Sequence, residues 1–72
     1  MEGGDDVKVY MEVERFGGAY TETRGVEAKT EEECEEFILS TANTYGTVHV
    51  LDDAGKRVRT ITPAEAAERM AQ

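Results

Sequence analysis

Cys34 and His49 are the only thiol and the only imidazole in the sequence, and side by side they would form a thiolate–imidazolium pair for nucleophilic catalysis. Cys34, however, falls on the predicted inner face of a helix, among glutamates whose negative charge disfavours a thiolate. His49 lies on a predicted strand with Thr47 and Leu51 on the same side, which predicts a half-exposed strand residue. We therefore expect a buried structural cysteine, no catalytic residue and no enzymatic activity. A small enzyme that uses Cys34 with His49 is the lesser alternative.

Metal binding requires several ligands that converge on one point. The run TEEECEEF at 30–37 supplies five glutamates, but a helix fans them around its axis and no histidine lies three or four residues away. The segment Asp52-Asp53-Ala54-Gly55 lacks the spaced ligands and the terminal glutamate of a calcium loop. The sequence predicts no metal and no cofactor.

The first predicted structural element is a hairpin at the start of the chain. Residues 7–14 (VKVYMEVE) alternate between apolar and polar side chains, which is typical of a strand with one buried and one wet face. The buried face carries Val7, Val9, Met11 and Val13, and the wet face carries Lys8, Tyr10, Glu12 and Glu14. Gly17-Gly18 predicts a turn. Residues 19–28 predict a second strand with an irregularity at Gly25.

A helix is predicted from Thr30 to Gly46. Thr30 and Glu33 form a capping box, and Glu31 to Glu33 lie where the positive end of the helix dipole favours acids. One helical face carries Cys34, Phe37, Ile38, Thr41, Ala42 and Tyr45. Residues 47–51 and 57–61 predict two more strands, joined by a turn that needs a positive φ at Gly55. Thr62-Pro63-Ala64-Glu65 then begins a short terminal helix.

The element order β-β-α-β-β-α predicts an α+β fold. We expect an antiparallel sheet of three to four strands, with one main helix packed on one face and a short C-terminal helix at an edge. We expect residues 1–6 to form a flexible leader and residues 7–72 to form a single compact domain. The longest apolar run has three residues, and the N-terminus lacks the basic and apolar regions of a signal peptide. Together with the single cysteine, this predicts a cytoplasmic protein.

The net charge of −8 lies entirely in the first half of the chain. Residues 1–36 hold twelve acids and four bases, whereas residues 37–72 hold four of each. The electrostatic field of this excess negative charge repels nucleic acid and acidic membranes and attracts basic partners. Lys56, Arg57 and Arg59 form a small basic end, which we expect to pair with Asp52, Asp53 and nearby acids.

Part of the acidic run has a local explanation, since Glu31 and Glu33 belong to the helix N-terminus. The other glutamates of the helix are expected to be solvated, and those of the two strands to share one outward surface. Alternate strand residues stand about 7 Å apart, a spacing that can imitate backbone phosphates. Exposed tyrosines among polar groups are frequent interface anchors. The predicted partner-binding residues are Glu12, Glu14, Glu22, Glu32, Glu35, Glu36 and Tyr10.

In size, charge and strand–helix order the whole chain resembles the small phage-encoded inhibitors of bacterial defence, including anti-CRISPR proteins, several of which mimic DNA. The resemblance implies a non-enzymatic inhibitor that occupies the positively charged DNA groove of a CRISPR-Cas effector complex or another basic DNA-binding protein. It would act in the cytoplasm of the bacterial host, without binding nucleic acid or membrane, and as a monomer rather than a dimer. The alternative is a protein–protein adaptor or self-associating module with a merely solvated acidic face.

Overall fold

The structure of the protein, a computed structural model, describes residues 6–15 and 18–71. Its elements follow the predicted order, and the α+β fold is confirmed. They are β1 (Val7–Arg15), β2 (Tyr20–Ala28), α1 (Glu31–Tyr45), β3 (Val48–Leu51), β4 (Arg57–Ile61) and α2 (Pro63–Met70). The four strands form one antiparallel sheet in the order β2-β1-β3-β4, with β2 and β4 at its edges. The predicted leader, apart from Asp6, and Gly17 of the predicted turn lie outside the described residues.

The sheet has one covered face and one open face. Residues paired across antiparallel strands point to the same face, so the pairs Met11↔Val50, Val13↔Val48 and Val48↔Ile61 all lie on one side. The helix α1 packs on this covered face, where the buried core consists of Met11, Val13, Ile38, Ala42, Val48, Val50, Ile61 and Ala66. The predicted alternation of β1 between two faces is confirmed, although Val7 and Val9 are only half-buried, as are Glu12 and Glu14 on the other face.

Both ends of α1 are fixed by local chemistry. The Thr30 hydroxyl accepts the backbone N–H of Glu33 at 3.1 Å, and the Glu33 carboxylate accepts the N–H of Lys29 at 3.1 Å. The helix ends at Gly46, which has φ 143° and donates its N–H to the Ala42 carbonyl. A Cβ at Gly46 would overlap the backbone carbonyl of Glu14, so only glycine lets α1 end this close to β1.

The second half of the chain also has a glycine with positive φ and a threonine that caps a helix. Gly55 has φ 82° in the turn between β3 and β4, as its position predicts, and the Asp52 carboxylate accepts the backbone N–H groups of Ala54 and Lys56. Thr62 caps α2 by accepting the N–H of Glu65 at 3.1 Å. The helix packs against α1 and places Ala66 in the core.

Three local predictions are corrected by the structure. β2 runs through Gly25 without a break in register, because this glycine makes room for the ring of Tyr10 on the neighbouring strand. The irregularity lies instead in β4, where Val58 is an extra residue between the pairs Val50↔Arg59 and Leu51↔Arg57. On α1, Phe37 and Tyr45 are 57% and 39% exposed, because the core-facing stripe is narrower than the predicted apolar face.

Candidate interaction surfaces

The open face brings together three of the predicted partner-binding residues. Tyr10, Glu12 and Glu14 alternate along β1 and all point away from α1. Tyr10 is 46% exposed and lies over Gly25. The two carboxylates are half-buried, and each contacts a partner from the second half of the chain.

Glu12 forms an ion pair across the open face. The Arg57 Nε donates to Glu12 Oε1 at 2.7 Å, from β4 across β3 to β1. The extra residue in β4 sets Arg57 opposite Leu51, on the same side of the sheet as Glu12. The carboxylate of Glu12 is therefore neutralised within the protein.

Glu14 takes part in a polar network around His49. His49 Nε2 contacts Glu14 Oε2, and Nδ1 is hydrogen-bonded to Thr60 Oγ1 at 2.9 Å. These neighbours leave His49 only 8% exposed, so the prediction of a half-exposed histidine is wrong. The pairing Glu12↔His49 sets the histidine diagonally opposite Glu14, a proximity that only the strand register determines.

A carboxylate, an imidazole and a hydroxyl in this order are the groups of a nucleophilic relay. Catalysis also requires a cleft in which a substrate meets the hydroxyl and the oxyanion donors. Three clefts in the described part of the chain are lined by residues of α1, α2 and the strands beneath α1, and neither His49 nor Thr60 lines any of these three. The arrangement can fix the imidazole between two partners and so tie β1, β3 and β4 together.

Glu22 lies on the covered side of the sheet, not with Glu12 and Glu14. It is paired with Val13 across the hairpin, and paired residues share a face. The prediction that Glu22 shares their surface is therefore wrong by one position of register. The Arg15 Nη1 donates to Glu22 Oε1 at 2.8 Å, and Arg24 Nε lies 3.5 Å from Glu22 Oε2. The hydrogen bond from Arg15 lowers the pKa of Glu22.

The surroundings of Glu22 form a cluster that sequence reasoning missed. The guanidinium groups of Arg15 and Arg24 lie 4.6 and 5.0 Å from the ring centre of Tyr45, at the end of α1. Arg15 also lies 6.0 Å from the ring centre of Tyr20. Cations stack favourably on aromatic faces at such distances. The cluster therefore joins the tip of the hairpin to the helix.

The three predicted glutamates of α1 differ from one another. Glu32 and Glu36 are exposed, as predicted, and in the described part of the chain no cation lies within ion-pair distance of either. Glu35 is half-buried, so the prediction that it is solvated is wrong. Arg59 holds its carboxylate with two hydrogen bonds of 2.9 and 2.7 Å, and Arg69 lies 3.3 Å away. The hydrogen bonds from Arg59 lower the pKa of Glu35.

The arginines of the basic end thus pair with residues of β1 and α1 and not with the acids of the adjacent β3–β4 turn. Arg57 and Arg59 pair with Glu12 and Glu35, and the Asp52 carboxylate is occupied by backbone N–H groups of the turn. Sequence spacing gave no signal for these contacts, which join residues 45 and 24 positions apart.

Cys34 and His49 are separated by the sheet. The Cys34 thiol is 2% exposed on the covered side and donates to the Val7 carbonyl at 3.5 Å. His49 lies on the open face, so the two side chains form no thiolate–imidazolium pair. Among the described residues, no three histidine, cysteine or acidic side chains are grouped so that they could hold a metal ion.

The seven predicted partner-binding residues therefore occupy three places. Tyr10, Glu12 and Glu14 lie on the open face, Glu22 lies at the β2 edge of the covered face, and the predicted glutamates of α1 lie on the helix that covers the other side. The acidic surfaces of the strands and of the helix are separated by the sheet. They do not form one continuous patch.

Comparison with known proteins adds no relative: no protein-family model, no curated protein and no solved structure matches this chain. Within residues 6–15 and 18–71, no helix is long and apolar enough to cross a membrane.

Proposed function

We propose that the protein is a non-enzymatic acidic inhibitor that binds a positively charged groove of a DNA-binding protein through the outer side of α1. Its contact surface is an outer acidic stripe, formed by Glu32, Glu33 and Glu36. The class of partner expected from the chain's size and charge is a bacterial defence complex of the CRISPR-Cas type, in which the stripe would take the place of DNA phosphates.

The observation that carries this proposal is the distribution of ion pairs. Every arginine of the chain pairs with Glu12, Glu22 or Glu35, so these carboxylates are neutralised internally. The net charge of −8 must then reside on other carboxylates. Glu32, Glu33 and Glu36 are exposed and lie outside these pairs, and α1 holds them on a rigid element away from the core.

The spacing of the stripe supports a row of phosphate-like charges. Glu32 and Glu36 are four residues apart on α1, which corresponds to about 6 Å along the helix axis. Proteins that bind nucleic acid neutralise its phosphates with Lys and Arg side chains, so their grooves already carry a high density of positive charge. Binding through such a row is fast at low ionic strength and weakens with added salt.

The test uses the immobilised protein and a panel of purified CRISPR-Cas effector complexes, with duplex DNA as competitor. Wild-type protein is expected to retain at least one complex at low salt and to release it at high salt or with excess duplex. The double variant Glu32→Lys/Glu36→Lys is expected to lose this binding. The matched control is Asp53→Lys/Glu68→Lys, which changes the net charge equally at exposed sites outside the stripe.

Equal loss of binding in the two double variants would show that only net charge matters and would overturn the assigned surface. Retention that neither salt nor duplex DNA reverses would overturn the mimicry. No retention of any complex or other basic DNA-binding protein would favour the adaptor function, for which the free edge of β2 supplies a specific surface.

A further inference from the structure

The two edges of the sheet differ in how they are protected from pairing. β4 has only five residues, contains the extra residue Val58, and is followed within two residues by Pro63. β2 has nine residues in unbroken register with β1 and contains neither proline nor lysine. Natural edge strands are usually blunted by bulges, prolines, charged side chains or shortness. The edge at β4 is short and irregular, whereas the edge at β2 is long and unbroken, and its charges include the opposite pair Glu22 and Arg24.

The register determines which backbone groups β2 presents at this edge. The Glu14 N–H donates to the Thr47 carbonyl at 2.8 Å, so the even-numbered residues of β1 bond towards β3 and the odd-numbered ones towards β2. Their partners in β2 are the even-numbered residues. The N–H and C=O groups of Thr21, Thr23 and Gly25 therefore point away from the sheet.

We infer that β2 pairs antiparallel with β2 of a second copy of this chain, with Thr23 opposite Thr23 at the two-fold axis. Thr21 then lies opposite Gly25 of the second copy, and every outward group between them is hydrogen-bonded, which gives roughly six backbone hydrogen bonds. The pairing doubles the four-stranded sheet and removes its unprotected edge.

The side chains of β2 are self-complementary in this register. Glu22 lies opposite Arg24 of the second copy, and Arg24 opposite its Glu22, so unlike charges face each other twice. Tyr20 lies opposite Val26 of the second copy, an aromatic and β-branched pair that stabilises sheets. These are the non-hydrogen-bonded pairs, in which side chains approach most closely.

Neighbouring registers lack this complementarity. Centring the pair on Glu22 or on Arg24 places a side chain opposite its own copy, so that like charges face each other across the strands. Centring it on Gly25 sets Arg24 opposite Val26 and leaves the charges without cross-strand partners. Only the register centred on Thr23 satisfies both the outward backbone groups and the charges.

The covered face also supports this arrangement. Residues paired across the axis share a face, so the two α1 helices lie on the same side of the doubled sheet. Phe37 is 57% exposed and lines a cleft beside β2 with Arg24 and Val26. In the proposed pair, β2 of the second copy lies next to this cleft. We therefore expect pairing to reduce the exposure of Phe37.

The test is the molar mass in solution, measured by light scattering up to millimolar chain concentration in about 0.15 M salt, where the Debye length is about 8 Å and long-range repulsion between the acidic chains is screened. Wild type is expected to reach twice the chain mass of 8.0 kDa. Thr23→Pro removes an N–H that points out of the sheet and is expected to give monomers with an unchanged circular dichroism spectrum. Thr23→Val keeps this N–H and is the matched control, which should remain dimeric.

A charge exchange tests the register itself. Glu22→Arg and Arg24→Glu each place like charges opposite each other in a homodimer, so each variant is expected to be monomeric. When the two variants are mixed in equal amounts, each arginine of one faces a glutamate of the other across the axis, and a heterodimer should form. A wild type that stays monomeric at millimolar concentration, a dimer that persists in folded Thr23→Pro, or single variants that dimerise as well alone as mixed would each overturn the inference.

Discussion

The two faces of the sheet are built from alternate residues of the same strands, yet different interactions hold them. On the covered face, Val13 and Val48 are at most 1% exposed beneath α1. On the open face, Glu12 and Glu14 are held by Arg57 and His49. In a close-packed apolar core, adding or removing a single atom changes the stability of the fold. A half-exposed polar pair contributes less, because water competes for both partners. We therefore expect substitutions to act strongly on the covered side and weakly on the open and outer surfaces.

The largest effect is expected from a pair of glycine substitutions. Gly46→Ala places a Cβ against the Glu14 carbonyl at φ 143° and should lower the free energy of unfolding by about 3 kcal/mol. Gly25→Ala meets only a Tyr10 ring carbon at 3.3 Å on the open face. Because this ring is 46% exposed it can shift, and we expect a change within about 0.5 kcal/mol. Urea denaturation of both variants measures the difference, and equal losses would contradict the contrast between the faces.

The next comparison makes the same valine-to-alanine substitution at a buried and at an exposed site. Val48→Ala removes two methyl groups from a site with 0% exposure and should cost about 2 kcal/mol, from lost burial and a small cavity. Val58→Ala removes the same groups from a side chain that is 55% exposed and should cost less than about 0.5 kcal/mol. Thermal unfolding followed by circular dichroism distinguishes them. A large loss at Val58 would mean that the edge strand β4 is packed against something in solution.

Much of the covered face could be predicted from the sequence because its signals are local. The alternation in residues 7–14, the capping threonines and the glycines at 46 and 55 each depend on a few neighbouring residues, and the structure has all of them. The boundaries of the strands differ from those predicted by one residue at most. These differences lie at the strand ends, where the alternating pattern no longer distinguishes strand from turn.

The open face and the charge pairs could not be predicted in the same way. The partner of Glu12 lies 45 residues away and that of Glu14 lies 35 residues away, and both depend on the order of strands in the sheet. The side on which Glu22 lies depends on the hairpin register, where a shift of one residue reverses every side chain. Counting acids along the sequence therefore overestimates the charge that remains free. Among the exposed carboxylates that the ion pairs leave, Glu32, Glu33 and Glu36 lie together on the outer side of α1.

The network around His49 should have an intermediate effect. His49→Leu removes the hydrogen bonds to Glu14 and Thr60 and should cost about 1 kcal/mol, because water can reach both of these half-exposed or exposed partners. Thr60→Val removes only one of the two bonds and should cost about half as much. Chemical denaturation measures both values. A loss at His49 as large as that at Val48 would show that the open face is not the weaker side.

A smaller effect, with a defined pH dependence, is expected at Glu35. Its pKa is lowered below the ordinary value of 4.5 mainly by the hydrogen bonds from Arg59. The stabilisation is therefore present above that value and is lost as the pH falls through the lowered pKa. Glu35→Gln should cost about 0.5 kcal/mol near neutral pH, since Arg59 is 44% exposed and water screens the pair. The difference from wild type should vanish in acid, and a constant difference across pH would contradict the ion pair as its cause.

The smallest effect should have the opposite sign. Glu36 lies three and four residues after Glu33 and Glu32, and like charges at these spacings repel by about 0.2–0.5 kcal/mol per pair. Because Glu36 has no ion-pair partner among the described residues, Glu36→Gln should raise the free energy of unfolding by a few tenths of a kcal/mol. The gain should disappear in about 1 M salt, where the Debye length is about 3 Å. Glu33→Gln is the control, since it weakens the bond to the Lys29 N–H and should be slightly destabilising. A variant that folds more stably and binds a basic partner less well would show that the outer acidic stripe is retained for binding and not for the fold.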